Sequence, residues 1–82
     1  MLNIKVLGSG CANCQRLEQN AKEAVATLGE QATVEKVTDF AAIMPYGVLH
    51  TPALVINGKV VASGRVPAAP EIVTMLTTAL AE

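Results

Sequence analysis

The chain has no tryptophan and only one tyrosine and one phenylalanine among its 82 residues. Binding of single-stranded nucleic acid rests on a series of exposed aromatic platforms, and Phe40 and Tyr46 do not make a series. A surplus of positive charge is missing too. Six Lys and Arg stand against seven Asp and Glu, a formal net charge of −1, so the electrostatic basis of phosphate-backbone binding is absent. The longest apolar runs, such as Phe40 to Met44 and Ala53 to Ile56, fall far short of the roughly 18 residues that span a bilayer. No membrane span is expected. The segment Met1 to Val6 has no basic patch leading into a long apolar stretch, so no secretory signal is expected and the chain reads as cytoplasmic.

At 51% hydrophobic and 16% charged, the composition is that of a folded chain rather than a disordered one. The length suits one domain over residues 1–82, with a core built from small and branched aliphatic side chains. Leu2 to Leu7 reads as a strand stopped by Gly8-Ser9-Gly10. From Asn13 onward, Leu17, Ala21, Ala24, Val25 and Leu28 recur at helical spacing, with Gly29 placed for a left-handed cap and Glu18–Lys22 as an i,i+4 pair. Thr33 to Val37 alternates as a second strand. Asp39 offers an N-cap to a short helix whose apolar side is Phe40, Ile43 and Met44, broken near Pro45 or Gly47. Ala53-Leu54-Val55-Ile56, Asn57-Gly58 and Lys59-Val60-Val61-Ala62 form a hairpin, because Asn-Gly suits the two positive φ angles of a type I′ turn. Ile72, Val73, Leu76, Ala79 and Leu80 draw one face of a last helix starting near Pro70. The order βαβαββα predicts an α/β fold: a four-stranded mixed sheet flanked by helices, its first two strands parallel and its hairpin antiparallel.

The chemistry concentrates at Cys11-Ala12-Asn13-Cys14. Spaced by three at a strand-to-helix junction, the two sulfurs lie on one side, within reach of the Cα separation of roughly 5.5 Å that a disulfide prefers. Unpaired backbone N–H groups and the helix dipole favour a thiolate there, so Cys11 is the expected nucleophile, with a depressed pKa. Cys14 leads into the apolar stripe and is the expected buried, resolving thiol. In that mechanism Cys11 attacks a disulfide to form a mixed disulfide, and Cys14 attacks the Cys11 sulfur to release the reduced substrate.

Other readings of the same residues exist. Two cysteines at a helix start can be small hydrophobes and nothing more. A C-x-x-C pair after a first strand also suits a soft-metal module for Cu(I), although Ser9-Gly10-Cys11 stands where such domains carry Met-x-Cys. A structural zinc site takes four protein ligands, and Cys11, Cys14 and His50 offer three. His50 and Arg65 otherwise read as solvated surface residues. Thr51-Pro52 opens the third strand, where proline is tolerated, and the residues alone leave that bond cis or trans.

Gly8-Ser9-Gly10-Cys11-Ala12-Asn13-Cys14, Tyr46-Gly47-Val48, Thr51 to Val60 and Gly64-Arg65-Val66-Pro67 together resemble the thioredoxin-like superfamily, most closely its small, glutaredoxin-sized branch of redox-active disulfide proteins. The resemblance implies a central first strand, a cis Thr51–Pro52 bond facing the sulfurs, and substrate binding by Thr51 and Pro52. It implies thiol–disulfide oxidoreductase activity on a disulfide-containing protein or small-thiol substrate, electrons from a separate reductase or thiol donor, and no bound cofactor or metal. Three features depart from the pattern. No Trp precedes Cys11, Ala12-Asn13 replaces Gly-Pro, and the first strand has no carboxylate of the thioredoxin kind. Ser63-Gly64-Arg65-Val66 also stands in place of the Gly-Gly-Asp turn with which glutaredoxins hold glutathione.

Overall fold

The computed structural model describes residues 2–81. The chain runs β1 (Leu2–Leu7), α1 (Ala12–Leu28), β2 (Ala32–Val37), α2 (Phe40–Ile43), a single 3₁₀ turn (Met44–Tyr46), β3 (Ala53–Ile56), β4 (Lys59–Ser63) and α3 (Ala69–Ala81). These make one four-stranded mixed sheet in the order β2-β1-β3-β4, with β1 inside it as the resemblance implied. β1 and β2 are parallel, while β1 with β3 and β3 with β4 are antiparallel. The expected α/β fold is the one observed.

Side-chain alternation along β1 divides the interior in two. Leu2, Ile4 and Val6 face α1 and α3, where Leu17, Ala21, Ala24, Ile72 and Leu76 meet Leu54 and Ile56 in the larger cluster. Leu7 faces the other way, with Ile43, Ala53 and Val55, and half-buried Val37, Tyr46, Val48 and Val60 pack against them. Lys5 shares that second face and donates from Nζ to the Tyr46 hydroxyl at 3.3 Å, its stem laid over the sheet and its head at the rim. β3 is buried along its whole length because it lies between two strands and between two packed layers.

The ends of the elements follow local chemistry. Gly29 closes α1 with φ 75°, its N–H donating to the Val25 carbonyl. Asp39 caps α2 through its side chain, which accepts from the Ala41 N–H at 3.2 Å. Asn57 and Gly58 both take positive φ, 51° and 82°, as the hairpin turn requires. Glu18 and Lys22 pair at 3.3 Å.

One expectation is corrected. The short helix was expected to present Phe40, Ile43 and Met44 as one apolar side, but only Ile43 is buried, while Phe40 is 72% and Met44 61% exposed. Of the three, only Ile43 belongs to the second cluster, so this single turn is anchored to the sheet by one side chain. The expected hairpin is present, and within it Leu54 pairs with Ala62 and Val55 with Val60, which leaves Val61 as the extra residue of a bulge.

Candidate active site

The loop after β1 leaves the C-terminal end of this interior strand and enters α1. Gly8 donates its N–H to the Val37 carbonyl at 3.0 Å, prolonging the β1–β2 ladder by one step, and Gly10 then turns with φ 86°. Cys11 is the N-cap of α1. Its backbone is extended, φ −65° and ψ 168°, its carbonyl accepts from the Gln15 N–H at 2.9 Å, and its sulfur accepts from the Cys14 N–H at 3.1 Å. Ser, Thr, Asp or Asn normally occupy such a position because their side-chain oxygen satisfies a free helical N–H, and here a sulfur does so. The Gln15 side chain folds back to the Gly10 carbonyl at 3.2 Å and holds the loop against the helix.

Cys11 and Cys14 are joined as a disulfide with a Cα separation of 5.0 Å. The two sulfurs are not equivalent. Cys11 is exposed, whereas Cys14 is 5% exposed and belongs to the buried interior. Gly8 backs the Cys14 sulfur: a Cβ added to Gly8 would fall on it, and would lie 3.8 Å from the Cα of Pro52.

Pro52 is therefore the third side of the site. The Thr51–Pro52 peptide is cis, Pro52 is buried, and its carbonyl accepts from the Gly64 N–H at 2.9 Å. Thr51, just before it, is exposed. All four residues singled out from the sequence, Cys11, Cys14, Thr51 and Pro52, thus lie around the Gly8 corner.

The remaining candidates lie elsewhere or do other work. His50 is exposed and its Cβ rests against Gly64, and among the described residues no group of three His, Cys, Asp or Glu side chains is placed to hold a metal ion. Arg65 is exposed as expected. It makes a bidentate pair with Glu71, 3.1 Å and 2.6 Å, that spans the loop before α3. The paired carboxylate raises the Arg65 pKa, and hydrogen bonding to the guanidinium lowers that of Glu71. Glu71 was not singled out from the sequence, because its partner lies across a loop whose path is set by the fold.

A groove adjoins the disulfide corner. Gly8, Ser9 and Thr51 form its near wall and Phe40, Ile43, Val48 and Leu49 much of the rest, around a cavity of about 260 Å³. Leu49 is 91% and Phe40 72% exposed, so the two give this groove an apolar rim. A larger cavity of about 480 Å³ between β4 and α3 contains none of the four site residues. No charged or polar side chain is buried among the described residues, so no interior carboxylate stands beside Cys14.

Comparison with known proteins agrees with this geometry. Residues 2–77 match the family described as Thioredoxin domain. The chain is 42% identical over 77 residues to a thioredoxin of Methanothermobacter thermautotrophicus, covering 94% of this chain and 100% of that protein. It is 36% identical over 72 residues to a thioredoxin of Methanocaldococcus jannaschii, covering 88% of this chain and 83% of that one. Among solved structures, the germline-specific thioredoxin Deadhead of Drosophila melanogaster superposes with a TM-score of 0.65 at 20% identity, covering 94% of this chain and 79% of that one. A malarial protein superposes with a TM-score of 0.72 at 10% identity, covering 95% and 96%. These two likenesses concern the fold. With an exposed and a buried cysteine joined at a helix start, and with these relatives, the chain belongs to the thioredoxin family of thiol–disulfide oxidoreductases.

Proposed function

We propose that Cys11 is the nucleophile and Cys14 the resolving thiol of a dithiol–disulfide exchange on protein disulfides, with Thr51 and Pro52 forming the floor on which the substrate lies. The observation that carries this reading is the asymmetry of the pair: one sulfur exposed at a helix N-cap, the other 5% exposed behind it. In the reduced protein the Cys11 thiolate keeps the Cys14 N–H and the helix N-terminus as its stabilising groups. It attacks one sulfur of the substrate disulfide and expels the other as a thiolate. The Cys14 thiolate then attacks Cys11, the protein disulfide closes, and the second substrate thiolate leaves. The two protons given up by the protein thiols balance the two taken up by the substrate's.

Thr51 supports substrate alignment because it is exposed and, among the described residues, its backbone N–H and C=O have no hydrogen-bond partner. An extended peptide can pair with both in strand fashion. The groove lined by Gly8 and Thr51 and rimmed by Phe40 and Leu49 offers an apolar side chain of that peptide a place to dock. Electrons return from a separate reductase or thiol donor, and the reading places the cycle in the cytoplasm, whose thiol pool keeps such pairs reduced.

Trapping tests the roles. With a disulfide-containing protein substrate, Cys14→Ser is expected to accumulate a mixed disulfide through Cys11, visible on non-reducing gels and by intact mass. Cys11→Ser is expected to give none and to lose turnover altogether. Equal adducts on both variants would remove the assignment of roles.

A further inference from the structure

Gly8 is buried, and its backbone lies outside the left-handed region that demands glycine. Conformation therefore does not explain why this position has no side chain. Space does. A Cβ built on Gly8 would fall on the Cys14 sulfur and stand 3.4 Å from the Cys14 Cβ. On its far side that Cβ would be in ordinary contact, 3.8 Å, with the Cα of Pro52. The missing side chain is the seat of the Cys14 sulfur, set between the end of β1 and the buried proline.

The seat is occupied in the disulfide form, where the bond to Cys11 locks the Cys14 side-chain torsion and the sulfur cannot leave. After reduction that torsion is free to move among its staggered wells, so the thiol has ways to avoid an intruding methyl group. A side chain at position 8 thus acts on one redox state more than on the other. We propose that Gly8 is a positioning residue for the redox couple: by leaving room for the Cys14 sulfur it stabilises the disulfide relative to the dithiol and so sets the reduction potential. This inference rests on the exchange reading of the Cys11–Cys14 pair.

The test equilibrates the whole protein and its Gly8→Ala variant against graded mixtures of reduced and oxidised dithiothreitol, then alkylates free thiols and reads the dithiol fraction by mass. In this step the protein S–S bond breaks and takes up two electrons and two protons. The small dithiol supplies both and closes its own S–S bond. Gly8→Ala is expected to favour the dithiol at least tenfold relative to the parent protein, a potential about 30 mV more positive. A role in folding alone lowers the stability of both redox states equally and leaves the potential where it was, so an unchanged potential in a folded variant overturns the proposal.

If Gly8→Ala does not fold, the same substitution is made in a Cys14→Ala background, where the sulfur is gone. Normal folding there supports the seat. Continued failure there overturns it, because the damage then lies with the backbone. If the parent protein itself shows no reversible couple, the exchange reading falls and this inference falls with it, an outcome the parent measurement reveals before any variant is compared.

Discussion

Gly64 is constrained twice over. Its φ of +72° is a conformation that L side chains rarely adopt, and a Cβ there would stand 2.9 Å from the Cβ of His50. Its N–H meanwhile holds the carbonyl of Pro52, which ties the loop before α3 to the floor of the site. Gly64→Ala is therefore expected to cost about 1–3 kcal/mol, measured as a shift in urea unfolding. The loss should persist in a His50→Ala background, since the nearest contact is a Cβ that alanine keeps and the left-handed strain is unaffected. Single residues differed in how far the sequence revealed them. Cys11 and Cys14 were legible because their spacing and the glycine-rich turn are local features. The seat at Gly8 and the clash at Gly64 were not, because each depends on a residue brought close only by the fold.

Helix α1 delivers both cysteines, so its packing on the sheet fixes where they stand. Leu17 lies one turn below Cys14, is fully buried, and belongs to the cluster between α1 and β1. Leu17→Ala is expected to lower stability by about 2–5 kcal/mol in thermal or urea unfolding of the oxidised protein. A loss below 1 kcal/mol would mean that α1 is not anchored as described. Elements with strong period or strong punctuation were legible: β1 between its start and Gly8, α1 up to Gly29, and the hairpin around Asn57-Gly58. The short helix was legible in its Asp39 cap but not in its faces. The bulge at Val61 was not legible either, because one inserted residue changes pairing without changing composition.

At the scale of the whole molecule the interior is aliphatic, and the aromatics stand at its margins, Tyr46 half-buried and Phe40 72% exposed. The scarcity of aromatics in the sequence announced such a core, whereas the placement of Phe40 at the lip of the site followed from tertiary packing alone. Surface charge contributes through Arg65 and Glu71, which join the loop beside the site to the start of α3. The hydrogen bond from Arg65 holds the Glu71 carboxyl below the usual glutamate range, so its contribution is fully present at neutral pH and is lost as pH falls through the folded-state pKa. The paired carboxylate raises the Arg65 pKa further, so the guanidinium stays charged throughout the neutral range. Glu71→Gln is accordingly expected to lower the melting temperature slightly at neutral pH, and the difference from the parent protein should close in strong acid. Both groups are exposed, so the shift is small and should shrink further in high salt.

The central claim is that Cys11 and Cys14 form a reversible two-electron couple. The direct measurement is the equilibrium reduction potential of the parent protein, read by thiol trapping in graded dithiol buffers free of metal ions. The expected result is a single reversible transition between roughly −270 and −120 mV, the range of thioredoxin-like oxidoreductases. A protein whose reduced form never closes the Cys11–Cys14 bond under oxidising buffers, or instead takes up one equivalent of Cu(I) tightly through both thiols, would contradict it.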